Sequence, residues 1–162
     1  MAKLKFEGLD AYAEQLRKMS DKSTGMIKRA VWEGARVIAD ATAAEIAALP
    51  VVKDHMYPPQ KLPIHGVTAA QKRGLLSGLG LAGMKNESGY INTKLGFDGY
   101  NATKTKEYPK GQPNALIARV VNSGSSSRAK IPFVNKAVKS AKERAETAMS
   151  ARFDADTRQI ID

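Results

Sequence analysis

Pro50 closes a helical periodicity that starts around Asp21 to Thr24 and runs to Leu49. Ile27, Ala30, Val31, Gly34, Val37, Ile38, Ala41, Ala44 and Leu49 recur near helical spacing. The abundant alanines favour helix and let another element approach closely. Proline has no N–H to give the preceding turn and its ring clashes there, so the helix has to stop. Arg29, Glu33, Arg36 and Asp40 stand three or four residues apart on the other side, which predicts a solvated ladder of ion pairs rather than paired catalytic carboxylates. This stretch is the expected central helix.

Upstream, Lys3 to Glu7 alternates charge with Leu4 and Phe6, which predicts a short strand ended by Gly8. Asp10 suits the N-cap of a separate short helix to about Met19, with Leu9, Tyr12, Ala13, Leu16 and Met19 near helical spacing. Downstream the texture changes. Residues 50–74 hold four of the seven prolines (Pro50, Pro58, Pro59, Pro63) and both histidines, which predicts an extended arm that orders against a neighbouring subunit. Residues 74–99 hold seven of the thirteen glycines. Within them Ile91, Thr93, Leu95 and Phe97 share one face of a strand over residues 90–97. Leu79 and Leu81 mark a preceding strand, with Lys85 to Gly89 as the hairpin turn.

After the polar loop Asn101 to Asn114, a further strand is expected at Ala115 to Asn122. Ser123 to Ser127 reads as a flexible connection, and Pro132 fits the first turn of a last helix. Val134, Ala137, Val138, Ala141, Ala145, Ala148 and Met149 carry its stripe to about Phe153, with Lys139–Glu143 and Lys142–Glu146 as pairs four apart. Residues 154–162 read as a tail. The expected fold is α+β: a small antiparallel sheet packed with a long central helix and a C-terminal helix, plus the Pro-rich arm, in one domain over residues 1–162.

Composition limits the chemistry. With no cysteine there is no disulfide, thiolate metal site or cysteine nucleophile, and two histidines leave little for proton transfer near neutral pH. No run approaches eighteen apolar residues, so no membrane partner is expected. The start, Met1 to Glu7, lacks the apolar stretch of a secretory signal, so the reading expects the mature chain to begin where it is written. Gly78, Gly80 and Gly83 spell G-x-G-x-x-G, with Asp98 twenty residues on. A dinucleotide fingerprint needs a strand before it and a long helix after it, and Met84 to Gly89 leaves no room for that helix. Asp54, His55 and Ser77 suggest a hydrolase only by composition, since no nucleophile elbow accompanies them. His55 and His65 lack the spacing and the further ligands of a metal site. No catalytic residue, cofactor or metal is expected.

The net charge of +10 is unevenly spread: between Lys104 and Arg144 ten basic residues face two acidic ones, Glu107 and Glu143. Lys104, Lys106, Lys110, Arg128, Lys130, Lys136, Lys139 and Lys142 are the candidate contacts to an acidic partner or to phosphate. Tyr100 and Tyr108 are available for stacking on bases. A basic nucleic-acid-binding module is therefore one reading of the chain.

The order of features supplies another. The segment Leu4-Lys5-Phe6-Glu7-Gly8-Leu9-Asp10, then Ala30 to Asp40, and at the far end Ala118 to Gly124, Ile131-Pro132-Phe133-Val134 and Ala137 onward, resembles the tail-completion or neck proteins (minor tail protein Z-like) of tailed double-stranded DNA bacteriophages. The resemblance covers roughly residues 3–50 and 74–150. It departs from the family where a Pro-x-x-Thr-Gly-x-Leu element follows the long helix: here about two dozen residues separate Pro50 from Gly74-Leu75-Leu76, and Arg73 stands in the threonine's place. The resemblance implies a non-enzymatic virion protein of the head–tail joint, assembled in the host cytoplasm. It also implies a homo-oligomeric ring that meets the tail terminator, head-closure and tail-tube proteins, with DNA passing through the channel. A tail-terminator role is the close variant.

Overall fold

The computed structural model describes residues 9–53 and 63–161. The expected strand at Lys3–Glu7, His55, and the prolines Pro58 and Pro59 lie outside the described residues. The architecture is α+β, with four helices and three small two-stranded ladders.

Helix α1 (Leu9–Ala47) is continuous, where the sequence predicts two helices parted near residue 20. The polar stretch from Ser20 to Thr24 does not break it. The Ser23 hydroxyl donates to the Ser20 carbonyl at 2.7 Å inside the helix, and Met26 just beyond is buried, so packing anchors the far side. At 39 residues, α1 is roughly 58 Å long. It ends before Pro50, as the proline requires.

Helix α4 (Phe133–Ile161) lies antiparallel to α1. Glu45 meets Lys136 at 3.0 Å near one end and Arg29 meets Asp156 at 2.7 Å near the other. Small residues let the two approach: Ala30 and Gly34 of α1 and Ala137, Ala141 and Ala145 of α4 are all buried. A Cβ at Gly34 would stand 2.6 Å from Met149 Cγ. The expected tail at 154–162 is therefore helical through Ile161. Its anchor is Asp156, 4% exposed, which accepts from Arg29 and pairs with Arg152 at 3.2 Å.

The segment after Pro50 is tied to the body on both sides of its undescribed centre. Strand β1 (Val51–Val52) runs parallel to β2 (Val67–Thr68), and Ile64 bridges Arg128 through Ile64 N–H to Ser127 O at 2.9 Å and Ala129 N–H to Ile64 O at 2.8 Å. Gly66 permits the return, since its φ of +128° suits glycine and a side chain there would collide with Pro50. The loop expected to reach residue 74 gives way at Ala69 to helix α2 (Ala69–Gly78). Thr68 and Gln71 close a capping box at its start, each side chain bonding the other's backbone N–H at 3.1 Å.

A two-storey hairpin follows. Strand β3 (Leu79–Leu81) pairs with β6 (Leu95–Phe97), and β4 (Lys85–Glu87) pairs with β5 (Tyr90–Asn92) further out. The alternating run over 90–97 is thus two strands broken at Thr93 and Lys94, because the Thr93 hydroxyl turns to the Ala82 carbonyl at 2.7 Å. The turn is Ser88-Gly89, both at positive φ, as a two-residue hairpin turn demands.

The strand expected at 115–122 is a helix, α3 (Asn114–Ser123). Asn114, Ile117, Ala118 and Val121 are its buried positions, spaced as one helical face, and this burial decides a short apolar run that periodicity alone leaves open between strand and helix. The expected single small sheet is accordingly three separate ladders, two antiparallel and one parallel. The core gathers where α1 ends and α4 begins: Ile46, Leu49, Val67, Leu75, Ile117, Ala118, Val121 and Phe133. The Phe97 ring meets Phe133 edge-on, centroids 6.1 Å apart, which joins the hairpin base to this core.

Candidate functional site

The structure divides the eight predicted contacts into three places. Lys104, Lys106 and Lys110 are exposed on the loop between β6 and α3. Lys130 is exposed beyond the end of α3, beside Gly124. Lys136, Lys139 and Lys142 are exposed along α4, but two of them are engaged: Lys136 with Glu45 at 3.0 Å, and Lys142 with Glu146 at 3.9 Å. Lys104, Lys106, Lys110, Lys130 and Lys139 make no ion pair with a described residue.

Arg128 is the correction. It is 5% exposed, donates through Nη1 to the Gly66 carbonyl, and reaches Gln71 Oε1 through Nη2 at 3.3 Å. A guanidinium can be buried when its donors meet carbonyl acceptors, and these acceptors belong to the β1–β2 return and to α2. Arg128 is therefore an internal strut and not an exposed contact.

That strut belongs to a buried polar spine that holds the lysine loop. Gln71 Nε2 donates to Gln112 Oε1 at 2.8 Å, and the hydroxyls of Thr68 and Thr103 lie 3.3 Å apart. Asn101 Nδ2 donates to the Gln112 carbonyl at 3.0 Å, and its Oδ1 accepts from Thr103 N–H at 2.9 Å. Asn114 Nδ2 donates to the Asp98 carbonyl at 2.8 Å. Each end of the loop is pinned by an amide side chain whose polar atoms are satisfied, as burial demands. Within it, Thr105 and Tyr108 exchange backbone hydrogen bonds at 3.1 Å and Gly111 N–H reaches the Tyr108 carbonyl at 3.1 Å. The loop is long, yet internally bonded.

Between this loop and α3 lies a cleft of about 470 Å³. Leu116 and Val120 of α3 give it an apolar floor backed by the buried Ile117; Thr105, Lys106, Glu107, Tyr108 and Gln112 form one wall, and Ser127 with Arg128 the other, so its exposed charges are the opposed Lys106 and Glu107. Of the predicted contacts, the cleft brings together only Lys106 and Arg128. Tyr108 lines it, while Tyr100 stands 71% exposed at the root of the loop. Sequence reasoning missed the residues that build this site: Gln71, Asn101, Gln112 and Asn114. The signal for one was legible, because Thr68-x-x-Gln71 before a helix spells a capping box.

The other constellations are differently arranged. Gly78 ends α2 and Gly80 lies in β3, so a helix precedes the glycines and a strand follows them, the reverse of a dinucleotide turn. Gly78 packs on the Asp98 carbonyl, where a Cβ would overlap it. Ser77 Oγ donates to the Gly74 carbonyl at 3.2 Å, and His65 is exposed. Among the described residues no group of three or more His, Asp or Glu side chains is placed to hold a metal, and no helix is long and apolar enough to cross a membrane. No protein-family model, curated protein or solved structure matches the chain.

Proposed function

We propose that the protein is a non-enzymatic assembly component of the head–tail joint of a tailed bacteriophage, acting as a homo-oligomeric ring in the neck. The observation that carries the reading is the order of features in the sequence: the Leu4–Asp10 segment, the long helix through Ala30–Asp40, and the Ile131-Pro132-Phe133 element that opens a final helix. Residues 118–121 lend it no support, because the strand expected over Ala115 to Asn122 is a helix. The paired helices add a physical argument. Ile27 and Val31 of α1 and Met149 and Phe153 of α4 line an apolar seam, with Ile27 39% and Phe153 37% exposed. The ring reading assigns that seam to contact between copies, since apolar surface left at a helix pair is commonly covered by a partner. The lysine loop then faces the acidic surfaces of other neck proteins.

Electron microscopy tests the reading on the purified protein and on particles that contain it. Rings in the first and density between head and tail in the second are expected. A protein that stays monomeric at high concentration, with no density at the joint, rejects it. The specific alternative is nucleic acid, favoured by the exposed Tyr100 beside the lysine loop. Affinity for DNA that falls with salt and depends on Lys104, Lys106 and Lys110 would move the assignment there.

A further inference from the structure

Past the Arg29–Asp156 contact, α4 runs five residues on to Ile161 while α1 runs twenty to Leu9, so α1 outreaches α4 by about 22 Å at the helical rise. We infer that this projecting part of α1 docks on a second copy of the chain, in the groove between that copy's α1 and α4, with the two α1 helices antiparallel about a two-fold axis. The inference rests on the assembly reading above and names what covers its apolar seam.

One face of α1 is uncharged along both the projection and the groove. Ala13, Leu16, Ser20, Ser23, Ile27 and Val31 fall on it, whereas Glu14, Lys18, Asp21, Lys22 and Arg29 fall on the far side of the helix. The chain's own elements leave this face open, with Leu16 49% and Ile27 39% exposed. It is also continuous with the α1–α4 contact, because the buried Ala30 lines the same groove as Ile27 and Val31.

The order of residues along the face selects a second copy as the occupant. Reversed about the midpoint between Asp21 and Lys22, the face matches itself: Leu16 falls opposite Ile27, Ser20 opposite Ser23, and Ala13 opposite Ala30. Self-complementarity of this kind is what an isologous contact requires, since each residue pair occurs twice. Small side chains at Ser20 and Ser23 let the two backbones approach at the axis. Leu16 of each copy then enters the other's groove of about 290 Å³, where Ile27, Val31, Met149 and Phe153 give it apolar surroundings. An unrelated helix would use the apolar ends of this face and gain nothing from its symmetry.

Sedimentation of the full chain over a range of concentrations tests the pairing. A reversible dimer, or a larger assembly built from it, is expected. Leu16→Lys and Ile27→Glu should each weaken association at least about a hundredfold, because losing one buried aliphatic side chain costs about tenfold or more and each substitution acts twice across the axis. Leu16 is exposed beyond the end of α4, so Leu16→Lys should melt with the parent in circular dichroism. Lys18→Ala, on the far side of the helix, should leave association unchanged. The double variant Leu16→Lys/Ile27→Glu tests the register: antiparallel pairing sets each introduced lysine beside an introduced glutamate, so this chain should associate more tightly than either single variant. A parent chain that stays monomeric, association indifferent to Leu16→Lys, or a double variant no tighter than the singles would each overturn the inference. Its failure is separable from that of the neck reading. Association and neck density that survive Leu16→Lys remove this contact only, whereas Leu16-dependent dimers without neck density keep the contact and remove the neck.

Discussion

Replacing Arg128 by methionine separates an internal strut from a surface contact. The side chain is 5% exposed and its guanidinium serves the Gly66 carbonyl and Gln71 Oε1. Hydrogen bonds to a charged group each contribute about 1.5–3 kcal/mol, and although Gln71 Oε1 keeps the Thr68 N–H, the buried Gly66 carbonyl loses the guanidinium, so Arg128→Met should cost about 2–4 kcal/mol. Native stability is commonly about 5–15 kcal/mol, so the loss is a large share of it. For a chain of this size each kcal/mol lowers Tm by about 2–4 °C, which predicts a fall of roughly 10 °C in a circular-dichroism melt. Lys106→Met, on the exposed rim, should stay within about 0.5 kcal/mol of the parent. A double-mutant cycle with Gln71→Met should show coupling of about 0.5–3 kcal/mol, because the two side chains share one bond. If Arg128→Met melts with the parent protein, the strut assignment is wrong and Arg128 returns to the binding surface.

Three further substitutions test the packing at either end of the fold. Gly78→Ala should destabilise by about 1–3 kcal/mol in urea unfolding, because its methyl overlaps the Asp98 backbone carbonyl, which cannot step aside as a flexible side chain would. Gly80→Ala meets open space and should be neutral or slightly stabilising; equal effects at the two glycines would contradict this account. Asp156→Ala should cost about 2–4 kcal/mol, below the full penalty for a broken buried pair because Arg29 is half exposed and regains water. It should also speed amide exchange over residues 154–161, and unchanged protection there would show that the last turns of α4 hold without the ion pair.

The parts of the fold legible in the sequence were those set by local periodicity and punctuation. Pro50 marked the end of α1, Pro132 the start of α4, and Leu79 and Leu81 the strand β3. The errors arose where a distant partner decided the outcome. Nothing local says that Asp156 will meet Arg29, 127 positions away, so residues beyond Phe153 read as a tail. In α1 the polar residues from Ser20 to Thr24 weaken the helix by propensity, and the buried Met26 beyond them carries it through. In α3 the short, mostly apolar run from Ala115 to Val121 fits either element by itself, while Asn114, Ile117, Ala118 and Val121 follow a helical face, and burial of that set decided for the helix. The candidate site was legible in Lys106 alone and opaque in its scaffold, because amides such as Asn101 and Asn114 look like ordinary loop residues until the spine they form is seen.

The same spine narrows what the positive charge can do. A cation is available to a partner only where the fold has not already given it an acceptor. Arg128 serves Gly66 and Gln71, Lys72 caps the end of α1 at the Leu49 carbonyl at 3.0 Å, Lys136 holds Glu45, and Arg29 and Arg152 converge on Asp156. On α4 the row from Lys136 to Arg144 is interrupted by Glu143 and paired by Glu146, which leaves the loop lysines 104, 106 and 110 as the clearest set facing solvent together. Three phosphate contacts would give DNA affinity a salt slope of about −2.7, against about −5.4 to −9 for a footprint of 6–10 phosphates. Affinity of that modest kind gives little hold on duplex DNA at physiological salt. The three exposed loop lysines, offset in part by Glu107, are better suited to steering the approach of an acidic protein surface, where charge sets the rate and choice of encounter and the contacts around it supply the affinity.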